Sequence, residues 1–223
     1  CNESVRAGEA LQRALSLEPS CLPALSRLAR WHLERNDHTA SLEPIEKGLS
    51  LSPGDPDFLS LKSEQLKLAG DEESAFKTVR TMAEQAPHNI AVLEKIGRCY
   101  LKLQDWREAL HFFFRMEEQG VKSPALYNLI GSASFGLKDY EEALKAWRRV
   151  LELDGRNLEA LNNIGVIQCI RKEYRAAKKM FSRALQTDSA SRQTHYNLAR
   201  LYTLLNQENS TRHLARYQEL SGS

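Results

Sequence analysis

No apolar run in this sequence reaches the ~18 residues that a membrane-spanning helix requires, and no leader or transit segment is visible at its start. An integral membrane span is therefore not expected. Cysteine is scarce. Its four copies, Cys1, Cys21, Cys99 and Cys169, are too far apart for a CxxC pair, and no Cys/His cluster has metal-ligand spacing. Unpaired thiols point to a reducing compartment, so a cytoplasmic location is expected. HExxH, the P-loop, GxGxxG and GxSxG are all missing. The carboxylate pairs Glu117-Glu118 and Glu141-Glu142 read as solvated helix positions rather than as acid–base machinery. No catalytic residue, metal or cofactor is expected. An excess of one charge is lacking too: 31 basic side chains face 29 acidic ones, which argues against a nucleic-acid partner drawn by overall charge. The balance is uneven along the chain. Residues 1–89 carry 10 basic and 14 acidic side chains, and residues 158–223 carry 10 basic and 5 acidic.

What is present is a period. Gly97, Gly131 and Gly165 stand 34 residues apart, as do Asp37, Asp71, Asp105 and Asp139, with Glu173 next in step. Ala75, Ala109, Ala143 and Ala177 keep the same spacing, and so do Pro19, Pro53 and Pro87. A fixed period of this size means one supersecondary unit repeated and stacked. Small residues once per helix let two helices approach closely, and large apolar residues between them fill the layer. Asp105 with Glu108, and Asp139 with Glu142, have the cap-and-N3 spacing of a capping box at a helix start.

Aligned from Leu22, Pro56, Ile90, Pro124, Leu158 and Arg192, the units resemble the tetratricopeptide repeat, a helix–turn–helix of 34 residues. The fourth unit supplies Tyr127, Ile130, Gly131, Ala143 and Trp147, and the fifth supplies Leu161, Ile164, Gly165, Ala177, Phe181 and Ala184. Departures are few: Lys62 stands at a normally apolar position of the second unit. In His111-Phe112-Phe113-Phe114, Phe113 takes the core position; of its two neighbours, one is expected to touch an adjacent helix and the other to be exposed. The resemblance implies an all-α, right-handed superhelical solenoid of antiparallel helix pairs. Residues 1–21 match the second helix of a truncated repeat, and 22–223 form a six-unit array whose last, more polar unit acts as a C-terminal cap.

The resemblance also implies a function: a scaffold or adaptor that holds a partner peptide or helix in a concave groove lined by the first helix of each unit. Carried over position by position, that groove presents Glu94, Arg98 and Lys102 from the third unit and Asn128, Ser132 and Phe135 from the fourth. The fifth adds Asn162 and Asn163, and the sixth Tyr196, Asn197 and Arg200. Asn163 and Asn197 share one repeat position, so their amides are candidates for a ladder that pairs with a peptide backbone. The Lys-and-Asn pair by which cochaperone relatives clamp a chaperone's C-terminal carboxylate is absent, so a heat-shock-chaperone tail is not expected as ligand. A convex basic patch is formed by Arg171, Arg175, Lys179 and Arg183, spaced four apart on one helix face. Two other readings stay open: a substrate-recognition arm of a larger enzyme, and a bacterial lipoprotein, anchored in the envelope through Cys1, that assists pilus or secretion-system assembly.

Overall fold

A computed structural model describes residues 2–85, 88–205 and 209–221; Cys1 and Pro87 lie outside the described residues. Among them are thirteen α-helices and no strand, arranged in two compact units, residues 1–120 and 121–223. The first unit holds α1 (Asn2–Leu17), α2 (Leu22–Glu34), α3 (Leu42–Leu51), α4 (Pro56–Leu68), α5 (Glu72–Gln85), α6 (Ile90–Lys102) and α7 (Trp106–Glu118). The second holds α8 (Pro124–Gly136), α9 (Tyr140–Leu153), α10 (Leu158–Ile170), α11 (Tyr174–Thr187), α12 (Arg192–Leu204) and α13 (Asn209–Ser221). From α2 onward, consecutive helices pack as hairpins, and the first helix of each hairpin starts where the repeat alignment places it. The all-α class and the helix-pair architecture are those the period predicts.

The helix starts follow from short polar side chains. Asn157 accepts from the Ala160 N–H at 3.1 Å and Ser123 from the Leu126 N–H at 3.2 Å at the heads of α10 and α8. At the second helices, Asp105 accepts from Glu108 N–H at 3.2 Å and Asp139 from Glu142 N–H at 3.1 Å. Each such cap contributes about 0.5–2 kcal/mol. Glu173 holds the same phase but makes no side-chain cap bond.

Between the helices of each hairpin from α2–α3 to α10–α11 the chain turns through one left-handed residue. Asn36, Gln104, Lys138 and Lys172 have φ of 58–63°, and Gly70 has φ 85° at the same repeat position. That conformation lets the next backbone N–H reach back five residues. Asp37, Asp71, Asp105, Asp139 and Glu173 donate to the carbonyls of His32, Leu66, Tyr100, Ser134 and Gln168 at 2.8–3.0 Å. The backbone N–H that a capping box would pair with Glu108 or Glu142 is thereby already bonded. Of the expected box, the forward bond forms and this turn replaces the return bond.

In the first unit, Leu25, Ala29 and Leu33 of α2 pack with Ile45 of α3 and with Phe58 and Leu61 of α4. Phe113 is fully buried over Gly97. Burying such a side chain is worth about 1.5–3 kcal/mol. Phe112 is buried too, its ring stacked on Tyr100 at 5.6 Å, while Phe114 is half-buried. Lys62 keeps its charge out of the apolar layer by reaching Glu46 at 2.7 Å. In the second unit, Trp147 packs over Gly131 and Phe181 over Gly165; Phe181 joins Ala177, Leu198, Leu201 and Tyr202 in one cluster. The final helix docks through rings: His213 stacks on Tyr202 at 5.5 Å and Tyr217 meets Tyr196 at 5.3 Å.

Candidate protein-interaction grooves

In each unit the first helices of successive hairpins lie side by side, α2 with α4 and α4 with α6 in one, α10 with α12 in the other. Residues four apart along such a helix share a face, so each row forms a wall made of its first-helix side chains.

The wall of the first unit is charged and internally paired. Glu94 of α6 accepts from Arg98 at 2.8 Å, Lys95 reaches Asp57 at 2.5 Å, and Lys102 pairs with Glu64. Arg30, Asp57, Ser60, Glu94, Lys95, Arg98 and Lys102 border an open cleft of about 400 Å³. Exposed or half-exposed pairs of this kind are worth about 0–1 kcal/mol each, so a partner's charges exchange with them at little cost. Cys99 lies beneath, buried, its Sγ 3.3 Å from the Ser60 hydroxyl; loss of solvent pushes the thiol up from its ordinary range.

The wall of the second unit is different. Asn162 is buried, and its Nδ2 donates to the Thr194 hydroxyl at 2.9 Å and to the Leu158 carbonyl at 3.0 Å. Its Oδ1 accepts from Asn197 Nδ2 at 3.1 Å, and the Asn197 Oδ1 accepts from Gln193 Nε2 at 3.1 Å. Thr194 also donates to Ser191, the N-cap of α12. Both asparagines thus join α10 to α12, and of the two amides in the expected ladder, that of Asn197 is engaged inside the wall. Asn163 is half-buried. Asn128 donates to Glu159 at 3.0 Å. Ser132 is half-buried, and Phe135 leans on its own hairpin, 5.7 Å from Tyr140 and 6.1 Å from Trp147. Tyr196 and Arg200 are exposed, the guanidinium 5.7 Å from the tyrosine ring.

Between α10 and α12 an open cleft of about 190 Å³ is lined by Val166, Cys169, Ile170, Phe181, Leu201 and Leu204, with Asn197 and Arg200 at its polar side. Ile170 and Leu204, which are 46% and 62% exposed, are functional candidates that sequence reasoning missed. They occupy the same repeat position, thirteen, in adjacent units, and a large aliphatic residue there twice was the available signal. Periodicity marks such residues as apolar without separating a buried from an exposed one.

The basic patch does not share one helix face as expected: Arg171 is the C-cap of α10, and only Arg175, Lys179 and Arg183 belong to α11, which starts at Tyr174. Arg171 reaches Glu141 at 2.6 Å and Arg183 donates to the Gly155 carbonyl at 3.1 Å, whereas Arg175 and Lys179 are exposed. Among the described residues no group of His, Cys, Asp and Glu has the arrangement of a metal site, and no helix is long and apolar enough to cross a membrane.

Residues 124–157 match the family profile described as Tetratricopeptide repeat. No curated protein matches the chain in sequence. Among solved structures it is similar to a tetratricopeptide repeat protein from Parabacteroides merdae, with TM-score 0.73 and 15% identity over 98% of this chain and 87% of that one. It is similar also to Pseudomonas aeruginosa PilF, with TM-score 0.65 and 16% identity over 90% and 96% of the two chains. MamA from Desulfovibrio magneticus gives TM-score 0.58 and 16% identity over 76% and 96%. At such identities the likeness is one of fold. By that match residues 124–157 are a tetratricopeptide repeat, and the 34-residue period carries the same helix-pair fold through the hairpins on either side.

Proposed function

We propose that this chain is an adaptor that holds a segment of another protein along the walls made by its first helices. The observation that carries this reading is the cleft between α10 and α12, where solvent-exposed Ile170 and Leu204 flank an apolar floor beside exposed Arg200 and Tyr196. Apolar groups left open next to polar ones favour association, because covering them removes apolar surface from water. In the first unit the counterpart is the charged wall of Glu94, Arg98 and Lys102, whose weak pairs are open to exchange. Among the described residues, the free thiols at Cys21, Cys99 and Cys169 support a reducing compartment such as the cytoplasm.

The test is position-dependent photo-crosslinking in the full chain. A photoreactive residue at Asn163 or Tyr196 is expected to capture the same protein, and one at Lys179, on the basic face of α11, is expected not to. Capture from Lys179 with none from the other two positions would move the interaction surface to that basic face.

A further inference from the structure

The cleft in the second unit also carries information about what enters it. Its floor and rim are aliphatic or aromatic apart from Cys169, Asn197 and Arg200. An engineered apolar cavity of about 150 Å³ holds a benzene molecule, so a volume of about 190 Å³ accommodates one aliphatic side chain. Asn197 is held by its neighbours, its Nδ2 donating to Asn162 and its Oδ1 accepting from Gln193. Arg200 is the charged residue of the lining, and among the described residues no carboxylate forms an ion pair with it. Its guanidinium lies against the face of Tyr196, a contact that orients the fork and leaves its N–H donors available. No acidic residue lines the cleft. A basic group at the mouth of an apolar cleft is complementary to an acidic group beside an apolar one.

Resting on the adaptor reading, we infer that this cleft recognises an internal protein segment with an aliphatic side chain within two residues of an aspartate or glutamate. The aliphatic group fills the space between Val166, Cys169 and Leu204, and the carboxylate pairs with Arg200. Selectivity comes from this pairing of shape and charge rather than from backbone reading by a row of asparagines.

The experiment selects a random 12-residue peptide library on the immobilised full chain, with both peptide ends joined to linkers so that no free carboxylate takes part. Enriched peptides are expected to carry an aliphatic residue within two positions of Asp or Glu. Arg200→Glu should weaken them at least about tenfold, and replacing the peptide's acidic residue by Lys should restore binding to that variant. Val166→Trp, which fills the cleft, should abolish binding, with Cys169→Phe as the second filling variant if the first fails to fold. Peptides lost on filling the cleft but indifferent to Arg200→Glu, or lacking an acidic residue, would overturn the proposed chemistry and leave the adaptor reading in place. No enriched peptide, or peptides indifferent to both filling variants, would overturn both.

Discussion

Asn197 donates its amide hydrogen to the side-chain oxygen of Asn162 across the contact between α10 and α12, at 3.1 Å, and both side chains are buried. A buried amide that loses its partner retains the full cost of leaving water, about 1–3 kcal/mol. Asn162→Ala leaves the Asn197 Nδ2 without its acceptor, while the Thr194 hydroxyl keeps its bond to Ser191, so we expect a loss of about 1–3 kcal/mol in urea unfolding. Asn162→Ala and Asn197→Ala combined should cost less than the two single losses added. Strict additivity in this double-mutant cycle would show that the bond does not couple the two helices.

Gly131 faces the indole of Trp147. A Cβ built there would stand 2.5 Å from Nε1 and 2.6 Å from Cε2, closer than any real contact. Gly131→Leu is therefore expected to lower stability by about 1–3 kcal/mol through overpacking. Thermal unfolding followed by circular dichroism reads this directly; an unchanged midpoint would mean that the fourth hairpin can open without cost.

Lys138 holds φ 62° in an exposed turn. Left-handed backbone costs an ordinary L-residue about 1–2 kcal/mol, and glycine is spared that cost. Lys138→Gly should raise stability by up to about 1 kcal/mol and Lys138→Val should lower it, in chemical denaturation at neutral pH. A loss with Lys138→Gly and a gain with Lys138→Val would refute a left-handed turn at this position.

Burial pushes the Cys99 thiol up from its ordinary range. The folded chain then keeps this proton at a pH where the unfolded chain releases it. The unfolded state binds fewer protons there, so stability falls with rising pH from about pH 8.5 upward. Burial raises Tyr100 and Cys169 as well, with the same sign. Urea midpoints at pH 7.5 and pH 10 should differ more in the native sequence than in Cys99→Ala. An equal drop in both would assign the alkaline loss to other groups.

The helix pairs were legible from the sequence because spacing alone encodes them. Gly97, Gly131 and Gly165 opposite Phe113, Trp147 and Phe181 repeat one steric fit, and any reader of the period recovers it. The turn was half legible. Asp105 and Asp139 announced their second helices, whereas α3 starts at Leu42, five residues after Asp37, and the left-handed residue at this repeat position is glycine at Gly70 alone among the described turns. Asn36, Gln104, Lys138 and Lys172 adopt the conformation because the surrounding hydrogen bonds hold it there.

The candidate site divides in the same way. Sequence placed Tyr196, Asn197 and Arg200 on one helix and Asn162 and Asn163 on another, and that assignment follows from helical geometry within a repeat. Which amide turns inward was decided by tertiary contact: Asn162 meets Thr194 and Asn197 because two helices 32 to 35 residues apart come within hydrogen-bond reach. The exposure of Ile170 and Leu204 was decided likewise, since hydrophobicity states what a side chain avoids, while the next helix determines whether it is covered. The sequence by itself determined the repeat, the helices and their spacing, because these rest on interactions within 34 residues. The tertiary structure decided which of the wall's side chains bond to their neighbours and which remain open to a partner, because that depends on how adjacent repeats meet.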